Sequence, residues 1–153
     1  PTFAGTVPDL CKVYIDVRWT PNQTIEKVTE DIANLAHAVQ QARPDVQVET
    51  HYIPMPRPAM EIEASHPLVR TLQAHIREVL GEDREVRGVT YWGDSGLLYG
   101  IGGIPTLMFG PGDIGCAHSD HESIDVSQLV PAVLIYCLTA MDICGFEETG
   151  NAT

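Results

Sequence analysis

Cations, paired cysteines and long apolar runs are all scarce in this sequence, and each scarcity removes a class of function. Only 9 of the 153 residues are Lys or Arg, against 21 Asp or Glu, a formal net charge of −12 with a pI near 4.7. Nucleic acid binding relies on Lys and Arg displacing counterions from phosphates, so nucleic acid is not an expected partner. The longest apolar run, 129–141, falls short of the ~20 residues that span a bilayer, so no membrane partner is expected either. The four cysteines, at 11, 116, 137 and 144, contain no C-x-x-C pair. Cys137 and Cys144 sit seven apart on one expected helix, about 10 Å along its axis, too far for a disulfide. Reduced thiols and a cytoplasmic location are the expectation. The sequons Asn22-Gln23-Thr24 and Asn151-Ala152-Thr153 point the other way, but matches this short carry meaning only in a secreted chain. The sequence opens at Pro1 with neither an initiator Met nor a signal-peptide pattern, so a processed chain or an excerpt is expected. What is present, 44% hydrophobic and 20% charged residues, is globular composition with enough length for a core.

Residues 10–19 alternate: Cys11, Val13, Ile15, Val17 and Trp19 share one face, and Lys12, Tyr14, Asp16 and Arg18 the other. Period two predicts a strand covered on one side. Thr20-Pro21-Asn22 breaks it and offers capping residues. Ile25, Val28, Ile32, Leu35, Ala36 and Val39 recur at three and four, predicting an amphipathic helix that ends before Pro44. Alternation resumes at 46–53, giving strand, helix, strand: half of an open-faced α+β unit. Pro54, Pro56 and Pro58 suit a semi-rigid linker, so the expected domains are 1–56 and 57–147, with a tail at 148–153. In the second domain Ser65 is the expected cap of a helix through Leu68, Val69, Leu72, Ile76, Val79 and Leu80, stopped by Gly81. Short strands are expected at 86–91 and 104–109, a short helix at 95–99, and a last helix at 127–144, apolar nearly all round and therefore sandwiched. The class is α/β.

In open α/β sheets ligands gather beyond the carboxyl ends of strands. Two loops hold such positions: Trp92-Gly93-Asp94-Ser95-Gly96, and the Gly-rich run 110–122, with Cys116, His118, His121, Asp113, Asp120 and Glu122. Imidazole with carboxylate is a zinc-type donor set, though the same composition also makes a plain acidic turn. The second loop lacks Lys and Arg, so a phosphate cradle is not expected. Asp94-Ser95-Gly96 lacks the G-x-S-x-G nucleophile elbow, and nothing in the sequence orients Cys116 against His118. His37 and His75 are expected at the surface of their helices, and His51 and His66 carry no motif.

The order of these motifs resembles a metallohydrolase family that contains aminoacylase, acetylornithine deacetylase, succinyl-diaminopimelate desuccinylase and carboxypeptidase G2. Val7-Pro8-Asp9 and Ile15-Asp16-Val17-Arg18 resemble the second half of that family's lid, or dimerisation, domain. Gly93-Asp94, Gly103-Ile104-Pro105-Thr106, Phe109-Gly110-Pro111-Gly112, Ala117-His118-Ser119 and Glu122 resemble its C-terminal signature. The likeness runs from about residue 10 to 145. It implies the C-terminal portion of a zinc-peptidase-like catalytic domain plus half of a ferredoxin-like lid that pairs two copies in a homodimer.

The resemblance also implies roles. His118 matches the C-terminal ligand of a two-zinc centre (Co²⁺ or Mn²⁺ being chemically similar occupants). Arg18 matches the lid arginine that binds a substrate carboxylate, a task suited to a fork of donors, although a surface ion pair with Asp16 is the plain alternative. Gly93 and Asp94 match the loop lining the substrate side, where Asp94 equally suits a helix cap. Glu122 matches an acidic position that supports the loop.

The sequence departs from the pattern too. Gly5 and Ala4 stand where relatives place an Asn before the lid proline, and His121 stands where they carry Asp or Asn. The family's His-x-Asp, bridging Asp, Glu-Glu pair with its general base, and lid His would all precede Pro1. Glu61-Ile62-Glu63 and Glu147-Glu148 do not replace them. The implied activity is hydrolysis of the amide bond of N-acyl amino acids or small peptides, with these 153 residues inactive alone. Two rivals are a non-enzymatic dimerisation or interaction module of the same fold, and a mononuclear metal protein built on Cys116, His118, His121 and a carboxylate.

Overall fold

The computed structural model describes Gly5 and residues 8–55 and 57–145. The chain divides into two compact units, Pro1–Tyr52 and Ile53–Thr153. The expected tail at 148–153 and the residues Ala4, Val7 and Glu147-Glu148 lie outside the described residues.

Among the described residues of the first unit a single helix, α1 (Ile25–Ala42), follows the turn at 21–23. Its N-cap is Thr24 rather than a residue of 20–22: the Thr24 hydroxyl accepts the Lys27 N–H at 3.2 Å. Such a bond satisfies one of the otherwise orphaned N–H groups of the first turn. Lys27 then reaches Asp31 at 2.8 Å and Glu30 at 3.2 Å, and hydrogen bonds to these two carboxylates raise its pKa above the ordinary lysine value. At the other end Arg43 grips Asp45 through two bonds, 3.0 and 2.8 Å, which hold the Asp45 carboxyl below its usual range. The amphipathic stripe forms as predicted, but none of its residues is buried, and Leu35 is 66% exposed.

The second unit is built around a helix pair. Helix α2 (Pro67–Leu80) begins with Pro at its first position, which costs nothing where the N–H has no helical partner. Its cap is His66, not the expected Ser65: the imidazole Nδ1 accepts the Leu68 N–H at 3.2 Å. It ends at Gly81, whose left-handed φ of 72° only glycine adopts freely. Helix α3 (Ser95–Gly100) is short. Two single 3₁₀ turns (Ile114–Cys116 and Val126–Gln128) lead into α4 (Leu129–Cys144). Helices α2 and α4 pack together, with Leu72, Ile76 and Ile135 at the centre and Val79, Leu107 and Phe109 against them. Burying side chains of this kind contributes roughly 1.5–3 kcal/mol each.

Two sequence expectations are not seen among the described residues. No strand forms among the described residues, so the segments 10–19, 46–53, 86–91 and 104–109 carry no ladder, and the α/β layers and the ferredoxin-like lid are not seen. Alternation specifies which face a strand would bury, but ladder hydrogen bonds must come from a neighbouring segment, and no described segment supplies them. The last helix is not sandwiched either. Only Ala132, Ile135 and Thr139 of α4 are buried, while Val130 is 76% exposed. Together with its leading turn, the stretch Val126–Cys144 is, by length and composition, apolar enough to cross a membrane. Its packing on α2 is equally that of a core helix.

Candidate functional site

Both loops singled out in the sequence belong to the second unit. In the first, the Gly93 carbonyl accepts the Gly96 N–H and the Asp94 carbonyl accepts the Leu97 and Leu98 N–H groups, which starts α3. Asp94 occupies the cap position but its side chain makes no capping bond, so the exposed carboxylate is left to other partners. Gly96 is required by close approach to backbone, whereas Gly93 faces only the flexible end of Met108. A Cβ on Gly93 would stand 2.7 Å from the Met108 methyl, and one on Gly96 would stand 2.5 Å from the Pro58 carbonyl oxygen. Ser95 and Gly96 are buried, so the loop is held from beneath. Trp92 adds a feature the sequence reading missed: the Arg57 guanidinium lies 4.7 Å from its ring centroid, a cation–π contact. Among the described residues, the Trp92 indole N–H is buried without a hydrogen-bond partner.

The second loop is fastened at intervals. The Tyr136 hydroxyl of α4 donates to the Phe109 carbonyl, and the two rings meet edge to face at 5.3 Å. The Gly112 N–H donates to the Gln128 side chain at 2.7 Å. Asp113 caps the first 3₁₀ turn through the Gly115 N–H at 2.8 Å. Asp125 caps the second through Ser127, and hydrogen bonds from Ser127 hold the Asp125 carboxyl below its usual range.

His118 lies between these anchors. It is exposed, and it is the sole non-glycine residue among those described with positive φ, at 60°. That conformation crowds Cβ against the backbone and costs an L-residue roughly 1–2 kcal/mol. Its N–H donates to the Glu122 carboxylate at 3.1 Å. The Ser119 hydroxyl donates to the Cys116 carbonyl at 2.6 Å, closing the same turn. His121 pairs with its neighbour Asp120 at 3.0 Å.

No group of three or more His, Cys, Asp or Glu side chains that could hold a metal ion forms among the described residues. Cys116, His118, His121 and the loop carboxylates therefore do not assemble the mononuclear site that the sequence left open. A lone imidazole does not hold a metal ion, so the residues present do not fit a complete zinc centre by themselves.

In the first unit Arg18 is exposed and takes the plain alternative: its Nη2 and Nε lie 3.1 and 3.3 Å from one Asp16 oxygen. Of the other histidines, His37 is exposed and His51 stands 3.7 Å from Glu49. His75, expected at the surface, is half-buried, with 11% of its side chain exposed. Two signals pointed to it: Glu78 three residues on, and Asp142, the single charged residue of α4.

A family model described as "Peptidase family M20/M25/M40" matches residues 4–142. The chain belongs to that family. Among curated relatives, this M20 chain is 30% identical over 138 residues to an N-formyl-4-amino-5-aminomethyl-2-methylpyrimidine deformylase of Bacillus subtilis (strain 168), covering 83% of the chain and 32% of the relative. It is 28% identical over 128 residues to the acetylornithine deacetylase of Proteus mirabilis (strain HI4320), covering 84% and 31%. The chain thus spans about a third of the length of the curated relatives it matches. No solved structure matches. The metallohydrolase resemblance of the motif series is therefore correct at the level of the family.

Proposed function

We propose that these residues are the C-terminal third of an M20 amidohydrolase that removes an acyl group from the nitrogen of a small, carboxylate-bearing amino compound. The match to the family over 4–142, with relatives named deformylase and deacetylase, is the observation that supports the reading. In it the lid and catalytic segments correspond to 1–56 and 57–147, the protein pairs as a homodimer through the lid, and it works in the cytoplasm.

His118 offers one imidazole to a metal centre, zinc being the expected ion, whose remaining donors lie outside these 153 residues. The family is generally metal-dependent. Glu122 holds the His118 backbone in its left-handed turn, fixing where the imidazole starts from. Arg18 takes the substrate carboxylate. Its bond to Asp16 is an exposed pair, worth about 0–1 kcal/mol, so a carboxylate ligand displaces it at little cost. Gly93 and Asp94 line the substrate side, where the uncommitted Asp94 carboxylate can accept a substrate N–H.

The test uses the native polypeptide that carries these residues, assayed for release of formate or acetate from N-acyl amino compounds, with zinc content measured in parallel. Hydrolysis that disappears in His118→Ala along with part of the bound zinc supports the reading. Zinc content and activity both indifferent to His118 would leave the non-enzymatic interaction module as the better description.

A further inference from the structure

The α2–α4 pair contains an ionic arrangement that the hydrolase reading does not use. His75 projects from α2 with its Nδ1 3.1 Å from a Glu78 oxygen and its Nε2 2.9 Å from an Asp142 oxygen of α4. Only 11% of its side chain is exposed, against 65% for Glu78 and 57% for Asp142. A carboxylate oxygen accepts and does not donate, and a neutral imidazole carries one N–H. Two carboxylates at hydrogen-bond distance from the two ring nitrogens can therefore both accept only from the imidazolium, which carries an N–H on each.

We infer that His75 is a proton-operated clasp, tying α2 to α4 as an imidazolium shared by Glu78 and Asp142 and slackening when it loses its proton. Deprotonation leaves one nitrogen as a lone pair facing a carboxylate, and attraction there turns to repulsion. If the proton kept is the one on Nδ1, the bond that breaks is the interhelical one to Asp142.

The surrounding charges agree. Asp142 is the only charged residue on α4, and the remaining charges on α2 are Arg70, Arg77 and Glu78. Arg77 is engaged with Asp83 beyond the helix end. Burial by itself pulls the His75 pKa down, but hydrogen bonds and charge from Glu78 and Asp142 outweigh it, and the net shift is upward from the ordinary imidazole value. A folded-state pKa above the unfolded one gives stability that is fully present in acid and is lost as pH rises through the folded value. The clasp thus holds at low pH and opens toward alkaline pH, across the range where histidine titrates. It sits beside the Leu72–Ile76–Ile135 cluster, so its opening acts on the packing that organises the second unit.

The test is an NMR titration of the histidine rings in the native polypeptide that carries these residues and in its Asp142→Asn and Glu78→Gln variants, with thermal unfolding of wild type and His75→Gln at about pH 5.5 and about pH 8.5. The expected results are a His75 midpoint above the ordinary imidazole value, a downward shift of that midpoint in each carboxylate variant, and a wild-type advantage over His75→Gln that is present in acid and absent in alkali. A His75 midpoint at or below the ordinary imidazole value, or one unmoved by Asp142→Asn, overturns the clasp. If His75→Gln does not fold, the two carboxylate variants still decide the matter.

Discussion

The Glu122 carboxylate accepts the backbone N–H of His118 at 3.1 Å, and His118 holds a φ of 60° that side chains rarely adopt. One residue of the loop thus carries the strain and another, four positions on, restrains it. Strain retained in a loop with a chemically capable side chain is the kind of arrangement found where the position of that side chain matters.

The first prediction follows from that pair. Glu122→Ala removes the acceptor and frees the turn, so amide exchange at His118 should quicken by about tenfold or more, equivalent to the ~1.4 kcal/mol or more that a charge-assisted bond contributes. Glu122→Gln keeps an acceptor and should retain most of the protection. Equal exchange in wild type and Glu122→Ala would show that the bond does not hold the turn.

A second concerns where the stability of the Ile53–Thr153 unit resides. Ile135 is 1% exposed and lies in the cluster joining α2 to α4, so Ile135→Ala should cost about 2–5 kcal/mol in urea unfolding. Val130, on the uncovered side of the same helix, should lose no more than about 0.5 kcal/mol on replacement by Ala. Similar losses at both positions would mean that α4 is covered on both sides in solution.

Two glycines separate steric from conformational cost. Gly96→Ala sets a Cβ 2.5 Å from the Pro58 carbonyl and 3.1 Å from the Trp92 indole nitrogen, and overpacking of this kind costs about 1–3 kcal/mol. It should also alter Trp92 fluorescence. Gly81→Ala meets nothing within 4 Å but retains a φ of 72°, so about 1 kcal/mol should be lost with the Trp92 spectrum unchanged.

The last prediction addresses α1. With no buried residue in the helix, its capping bond carries weight that packing supplies elsewhere. Thr24→Ala should destabilise it by about 1 kcal/mol, read as a loss of helical circular dichroism in the 153-residue chain. Thr24→Asn should preserve the signal.

Much of this molecule was legible without a structure, for reasons that differ by element. Each helix satisfies its own backbone, so local periodicity at Ile25–Val39 and Leu68–Leu80 was enough to locate α1 and α2, and Gly81 enough to stop the latter. The motif series from Gly93 to Glu122 was enough to reach the M20 family, because glycines and prolines at set intervals reflect backbone demands that survive in linear order. The caps were harder. Thr24 and His66 were missed because several polar residues stand near each helix start, and only backbone geometry chooses among them.

What the sequence by itself determined, then, is the helices, the acidic character and the family. Tertiary structure alone decided the partners. Period-two alternation at 10–19 could not name a neighbouring strand, and no described segment became one, because ladder bonds are made between segments rather than within them. The meeting of His75 with Asp142, 67 residues away, was likewise decided only when α4 packed on α2, since spacing along a chain fixes neighbours on one helix but not across two.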